Sequence, residues 1–405
     1  MNELGIESAD LTRMAILAFV GRRGPTSRAT MVRDLDLSAA TVSQATKWLI
    51  QHGVLEALDF EPSIGGRPAQ LLGLVATAGH AIGVKVATDH LAMVDVRLDG
   101  EVVASRFEPF EVLAPDPAER LAASLRSFRA DASSPLLGIG VAVPGIVSRP
   151  DAGSVDAAVL GWVGMPLGKR LRAELETPII VENDVKALAI AERLYGRGRT
   201  HRNFVVLTIG RGVGFASVSE GVLRRGASGG AGEIGHIVMS ATGPVCACGS
   251  RGCLEAYVGA DGLVTAARIA GVLRGSDGLE HLVDLADADE QAAEIFARAA
   301  QRLAKAVAAT VAALEPEVVL IAGEGVAGWR HWDGPFRSTL AKHLPASMRD
   351  LPVEVDTWDD TSWARGAAAI VLATPFDRNA PAGRQRPHVL GRLHGTRGEF
   401  DEDAD

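Results

Sequence analysis

The chain has 405 residues, 47% of them hydrophobic and 22% charged, with three cysteines and a formal net charge of −9. That composition excludes an intrinsically disordered chain and a disulfide-stapled miniature, and the length asks for two or three domains. The negative total also excludes a uniformly basic protein, so any contact with nucleic acid must come from a local surface.

The opening residues, MNELGIESAD, lack the basic-then-apolar order of a signal peptide, and no apolar run is long enough to span a bilayer. A cytoplasmic protein with reduced thiols and no membrane partner is expected. From Leu11 to Arg22 a helix is predicted, with Leu11, Met14, Ala15, Leu17 and Ala18 on its apolar face. Ser27 is placed to cap a second helix ending at Leu35; Ser38 caps a third, AATVSQATKWLIQH, which Gly53 stops. In that third helix Val42, Ala45 and Leu49 turn inward, leaving Ala40, Thr41, Ser43, Gln44 and Lys47 outward. VLEALDF and GGRPAQLLGL then read as a β-hairpin. Two short helices joined by a turn, the second with a small polar face starting at Ser38, suit entry into a DNA major groove. Arg28, with Arg22, Arg23 and Arg33, would hold phosphates, and Arg67 would reach a minor groove. A helical docking domain is the alternative for residues 1–76.

From Gly79 to Leu372 the pattern alternates between strands and helices. HAIGVKVATDHLAMVDVRLDGEVVASRFEPF and NFVVLTIGRGVGFASVSEGVLRRG are two similar strand trios, each followed by helices and buried strands such as LLGIGVAV, PIIVEN and EVVLIAG. Two copies imply two α/β lobes with a ligand crevice at the strand carboxyl ends. The smaller lobe is expected over residues 77–184, completed by a helix near 362–373, and the larger over 185–361. Residues 376–405, rich in Pro, Gly and charge, are expected to be a disordered tail.

All three cysteines fall in one Gly-rich loop. His236, Cys246, Cys248 and Cys253 make a full tetrahedral zinc shell with no position left for a reactive water, so one structural zinc ion is expected. The second ring nitrogen of His236 is then free to meet a ligand, and Glu233 and Glu255 lie close in sequence; carboxylates beside a rigid imidazole suit a polyol. In VENDVKALAI a buried strand ends at Glu182-Asn183-Asp184 and a helix begins. Asp184 there can accept a hydroxyl proton, while Asn183 or Asp184 can equally well cap the helix.

Together these stretches resemble the ROK family (repressors, open reading frames, kinases) over roughly Leu11 to Leu372. The resemblance is carried by SRATMVRDLDLSAATVSQATKWLIQHGVLE with GGRPAQLL, by GIGVAVPGIV, by VENDVKALAIAE, and by GEIGH followed by CACGSRGCLE. It implies a winged helix–turn–helix followed by an α/β actin-like (ribonuclease-H-like) pair of lobes. It implies zinc on His236, Cys246, Cys248 and Cys253, and sugar contacts from Asn183, Asp184, Glu233, His236 and Glu255, with Asp184 in the place of the kinase base. The chain departs from the family's kinases at their phosphate elements. Lys85 stands in place of an Asp, with Ala87 and Thr88 in place of two glycines. Arg211, Phe215 and Ala216 interrupt the second phosphate loop, and Glu324 enters the adenosine-side glycine run. Side chains there obstruct close backbone approach to phosphates, and Glu324 adds repulsion. Val159 replaces a sugar-side Asn. The resemblance with these departures implies a non-enzymatic, sugar-responsive regulator, a repressor of carbohydrate uptake or catabolism genes. It would bind an inverted-repeat double-stranded operator as a homodimer or tetramer, with a sugar or sugar phosphate as effector. Two other readings stand beside it: an ATP-dependent sugar kinase with an appended DNA-binding domain, and a DNA-binding protein whose remainder is only a dimerisation or partner-docking scaffold.

Overall fold

The computed structural model describes residues 8–61, 68–128, 134–377 and 379–395. The N-terminal part runs α1 (Ser8–Arg23), β1 (Thr26–Ser27), α2 (Arg28–Leu35), α3 (Ala39–Gln51), β2 (Leu55–Glu61) and β3 (Ala69–Leu74). The Ser27 hydroxyl accepts from the Thr30 N–H at 3.3 Å and the Ser38 hydroxyl from the Thr41 N–H at 3.1 Å. Each satisfies an amide that the first helical turn leaves unpaired. Val42, Ala45 and Leu49 are buried, as their spacing requires. The strands order as β1-β3-β2, so a hairpin follows the three helices.

By internal contacts the chain separates into two units: residues up to Arg199 with those from Asp360 on, and Thr200–Asp359. After its N-terminal part the first unit contains β4 (His80–Val86), β5 (His90–Arg97), β6 (Val102–Pro109), α4 (Pro117–Ser127), β7 (Leu136–Val143), β8 (Ile146–Arg149), β9 (Ser154–Ala157), β10 (Trp162–Pro166), α5 (Leu167–Leu175), β11 (Ile179–Asn183) and α6 (Asp184–Tyr195). Its main sheet is ordered β11-β7-β4-β5-β6; β8, β9 and β10 form a small second sheet. The meander β4-β5-β6 is antiparallel, while β7 and β11 join parallel. Parallel strands covered on both faces need continuous apolar runs, and LLGIGVAV and IIVEN supply them. On β6, an edge strand, exposed residues alternate with half-buried ones.

The second unit repeats the plan. It contains β12 (Phe204–Ile209), β13 (Val213–Ser219), β14 (Val222–Leu223), α7 (Glu255–Val258), α8 (Ala260–Ile269), α9 (Leu279–Leu285), α10 (Glu290–Leu314), β15 (Val318–Ala322), α11 (Trp329–His343) and β16 (Val353–Val355). The sheet order is β14-β13-β12-β15-β16, again an antiparallel meander joined by two parallel strands. The duplication expected from the two strand trios is therefore present in the sheets.

The chain then returns to the first unit as α12 (Asp360–Leu372), which packs on β4, β7 and α6. Glycine makes that approach possible. A Cβ on Gly83 or Gly140 would collide with the backbone of α12 at Ala364, Ala367 or Ala368. Its contact with α6 keeps α6 in the first unit, so the break falls after Arg199 and not at the expected residue 184.

The expected tail also differs. Phe376, Ala380 and Ala382 are buried, and α13 (Arg386–Leu393) packs on β7 with Val389 and Leu393 inward. Arginines fasten the segment. Arg392 donates to the carbonyls of Leu136 at 3.1 Å and Glu176 at 3.0 Å, and Arg386 to those of Thr374 and Asp377 at 3.0 and 2.7 Å. Arg193 of α6 pairs with Asp377. The His394 ring stands edge-on to Trp48 of α3, centroids 4.7 Å apart. The remainder of the expected tail, residues 396–405, lies outside the described residues.

Two substitutions test this packing. Gly140→Ala is expected to destabilise the protein by about 1–3 kcal/mol or more, because the added methyl meets backbone that cannot rotate away. Leu393→Ala is expected to cost about 2–5 kcal/mol, the range for a buried leucine. Urea unfolding of each variant against the parent checks both; an unchanged midpoint for Leu393→Ala would return this segment to a tail.

Candidate functional site

The polar groups expected to carry function fall into three sets, two in the first unit and one in the second. The first set lies where β4, β7 and β11 end. Asn183 closes β11 and caps α6: its Oδ1 accepts from the Lys186 N–H at 3.1 Å, and its Nδ2 donates to the Gly145 carbonyl at 3.0 Å and to Asp184 Oδ1 at 3.2 Å. Asp184 Oδ1 also accepts from the Val185 N–H at 2.9 Å, and its Oδ2 takes the ammonium of Lys85, the penultimate residue of β4. Lys85 Nζ lies 4.6 Å from the ring centroid of Trp363 on α12. The capping role and the hydroxyl-accepting role weighed for this corner are thus divided, Asn183 capping and Asp184 Oδ2 facing a cation. In the sequence Lys85 stands out only as a replacement; its pairing with a residue 99 positions away has no local sequence signal.

The second set is the cysteine loop. One donor atom from each of His236, Cys246, Cys248 and Cys253 lies within 4.8 Å of the other three. Cys246 Sγ is 3.7 Å from His236 Nδ1, and Cys248 Sγ is 3.7 Å from Cys253 Sγ. A tetrahedron with metal–sulfur bonds of about 2.3 Å has sulfur–sulfur edges of about 3.8 Å, so the spacing fits a metal ion of that coordination. Gly252 makes the fold of the loop possible: its φ is +70°, and a Cβ would strike the Ser240 carbonyl. Burial raises the Cys253 thiol to about 12, with the neighbouring thiols pushing the same way. Burial also raises Cys246. Cys248, exposed and accepting the Ser250 backbone N–H, falls to about 7. A cation would offset the charge that these buried thiols resist taking up alone.

Beside the loop, His236 Nε2 points toward Glu233 Oε2 at 3.8 Å, beyond direct hydrogen bonding. Glu255, the first residue of α7, accepts the Val213 N–H at 3.0 Å, and its carboxylate lies against the Cα atoms of Gly212 and Gly235. Glu233 and His236 thus face each other, and the Glu255 carboxylate lies against Gly235, the residue before His236. The Glu324 carboxylate lies against Gly210.

The third set is the outward face of α3. Ala40, Ser43, Gln44 and Lys47 are exposed and Thr41 half-exposed; Ser38 is exposed but its hydroxyl is spent on the cap. The nearby arginines are engaged within the protein. Arg28 Nε donates to Thr46 Oγ1 at 2.9 Å, while Arg23 and Arg33 both pair with Asp34 at 2.6 and 2.7 Å. Hydrogen bonding from Arg33 holds the Asp34 carboxyl below its ordinary range. Arg67 lies outside the described residues.

A repeated meander-plus-parallel sheet, with a Cys3His loop in the second copy and helices with a hairpin ahead of the first, defines a duplicated α/β protein. Residues 81–374 match the ROK family, and the chain belongs to it. It is 27% identical over 383 residues to the Escherichia coli DNA-binding transcriptional dual regulator NagC, covering 89% of this chain and 92% of that protein. It is 28% identical over 246 residues to the Bacillus subtilis xylose repressor, covering 60% of this chain and only 64% of that one. Among solved structures, a ROK family transcriptional regulator homologous to the E. coli Mlc protein superposes with a TM-score of 0.80 at 22% identity, over 96% of this chain and 99% of the other. A Streptomyces griseus ROK glucokinase, solved with glucose and AMPPNP, gives 0.62 at 25% identity over 72% of this chain and 98% of its own.

Metal content tests the second set. The purified protein is expected to carry one tightly held divalent ion per chain, and Cys253→Ser to lose it and melt at lower temperature. Elemental analysis finding equal metal in both would remove the loop from consideration.

Proposed function

We propose that this chain is a sugar-responsive transcriptional repressor of carbohydrate uptake or catabolism genes. The observation that carries the reading is the length of the likeness to NagC, which at 89% of the chain exceeds the two sheets and takes in helical N-terminal sequence. The helices and hairpin of that part are read as a winged helix–turn–helix. α3 is its recognition helix, meeting base edges through Ala40, Thr41, Ser43, Gln44 and Lys47, with Ser38, Arg28 and Arg67 toward the phosphates. The protein would act as a homodimer or tetramer, placing two such helices on an inverted repeat of double-stranded DNA.

The effector is a sugar or sugar derivative held by Asn183, Asp184, Glu233, His236 and Glu255. Carboxylates accept from hydroxyls, and the His236 nitrogen turned away from the cysteines donates back. Zinc at His236, Cys246, Cys248 and Cys253 would have a structural role, fixing that imidazole. Regulation requires only that the effector favour one of two arrangements of the protein; about 1–3 kcal/mol of coupling alters DNA affinity about 5–150-fold.

Binding without turnover is supported by the surroundings of the second-unit turn. Carboxylates press on both Gly210 and Gly212, from Glu324 and Glu255. Glycine turns that cradle phosphate need open amides and a neutral or positive approach. Lys85 on Asp184 supports the same reading.

The test uses zinc-loaded full-length protein and an operator selected from random duplexes. Gln44→Ala is expected to weaken operator binding by about 1–3 kcal/mol with an unchanged melting temperature. Glu233→Ala is expected to keep operator binding and lose the response to the sugar that releases the parent. Release of ADP from Mg-ATP with any such sugar would instead establish a kinase.

A further inference from the structure

One buried ion pair is not accounted for by the stability of the fold. Lys85 and Asp184 have side chains only 12% exposed, and their bridge joins the ends of β4 and β11. Taking both charges out of water costs about as much as their attraction returns, and apolar replacements of such pairs are often neutral or stabilising. The pair lies at the carboxyl ends of parallel strands β4, β7 and β11, where open α/β sheets take their ligands.

The donors and acceptors of this corner are unequally spent. Asp184 Oδ1 is filled by the Asn183 amide and the Val185 N–H, whereas Oδ2 has Lys85 as its one described partner. A carboxylate oxygen has room for a second hydrogen bond, and an ammonium carries three donors. The Trp363 ring, beside the ammonium, attracts the cation but accepts no conventional hydrogen bond. The corner therefore offers one acceptor and one donor on adjacent atoms.

We propose that Lys85 is a specificity-determining ligand contact, gripping together with Asp184 a single hydroxyl of the effector. The hydroxyl donates to Asp184 Oδ2, and its oxygen accepts from the Lys85 ammonium. This selects an uncharged polyol at this position. A phosphate or carboxylate placed here meets Asp184 as much as Lys85, and a group without a hydrogen leaves Oδ2 unpaired. The arrangement also explains how a hydroxyl is held here without being activated, since the nearest acceptor is already bound to a fixed cation. The proposal rests on the sugar-sensor reading and adds Lys85 to the contacts inferred there.

The experiment is calorimetric titration of the zinc-loaded full chain with D-xylose, D-glucose and N-acetyl-D-glucosamine, followed by the monodeoxy analogues of whichever binds. Lys85→Met and Lys85→Gln are compared with the parent; the Gln variant retains a donor for Asp184, so a foldable protein remains if the Met variant fails. Both are expected to bind the sugar at least about tenfold more weakly, the value of a hydrogen bond to a charged group. One monodeoxy analogue is expected to bind parent and variants alike, because it lacks the gripped hydroxyl. If the parent binds sugar and the variants bind it within twofold, the role of Lys85 is overturned and the sensor reading stands. If every deoxy analogue preserves the difference between parent and variants, Lys85 acts through the fold and the proposal is again overturned. If the parent binds no sugar, the sensor reading and the proposal fall together.

Discussion

The first unit depends on how closely α12 approaches its sheet. Gly83 and Gly140 offer no side chain on the covered face, and α12 answers with Ala364, Ala367 and Ala368. Backbone therefore meets backbone, and the helix has little freedom to slide. This contact joins residues more than 200 positions apart and closes the first unit around a segment that arrives after the second is complete. It also sets the chemistry. Trp363, near the start of α12, is held against Lys85 because the helix is seated on β4 and β7.

From that seat the polar groups follow in order. The parallel strands bring the ends of β4 and β11 to one edge, Asn183 fixes the first turn of α6, and Asp184 is left with one oxygen committed to the protein and the other to Lys85. The opposite end of β7 and the close of α5 are held by the C-terminal segment, through Arg392 on the carbonyls of Leu136 and Glu176. Arg193 on Asp377 ties α6 to the same segment, and His394 reaches Trp48 on α3. α3, α6 and the start of β7 thus all meet one stretch of chain, α3 through a ring contact and the others through ion-pair or hydrogen bonds.

What the sequence disclosed and what it withheld divide by the range of the interaction. Caps are local, so Ser27, Ser38 and Asn183 were legible: a side-chain oxygen bonding an amide two or three residues on leaves a short pattern. The two sheets were legible because buried strands write continuous apolar runs. The order of residues 380–395 was not, since its burial is carried by a few small or isolated apolar residues and by arginines bonding carbonyls far away in sequence. Arginine, glycine and proline in such a stretch have the same composition whether they meet a distant carbonyl or water. Asp34 misled for a related reason: it lies beside Arg33 and draws in Arg23, so two cations that looked free for phosphate are partly neutralised within the protein.

The cysteine loop poses the opposite problem, because its composition was informative while its shape is built from turns and not from a regular helix or strand. Between Val238 and Cys253 the described backbone has no regular helix or strand; it makes the isolated bridges Val238–Cys253 and Val245–Arg251 and turn bonds such as Cys246 N–H to the Ser250 carbonyl at 2.8 Å. Two of its thiols are raised by burial, and their conjugate anions would repel one another at these distances. A loop held by turns alone, with clustered soft donors, gains from a cross-link that turns repulsion into attraction. Its consequence for recognition runs through His236. With Nδ1 turned to Cys246, Nε2 can face only the side where Glu233 stands, and Gly235 lets the Glu255 carboxylate close in behind. The orientation of one ring thus places a nitrogen and the Glu233 carboxylate on the side of the loop turned away from the cysteines.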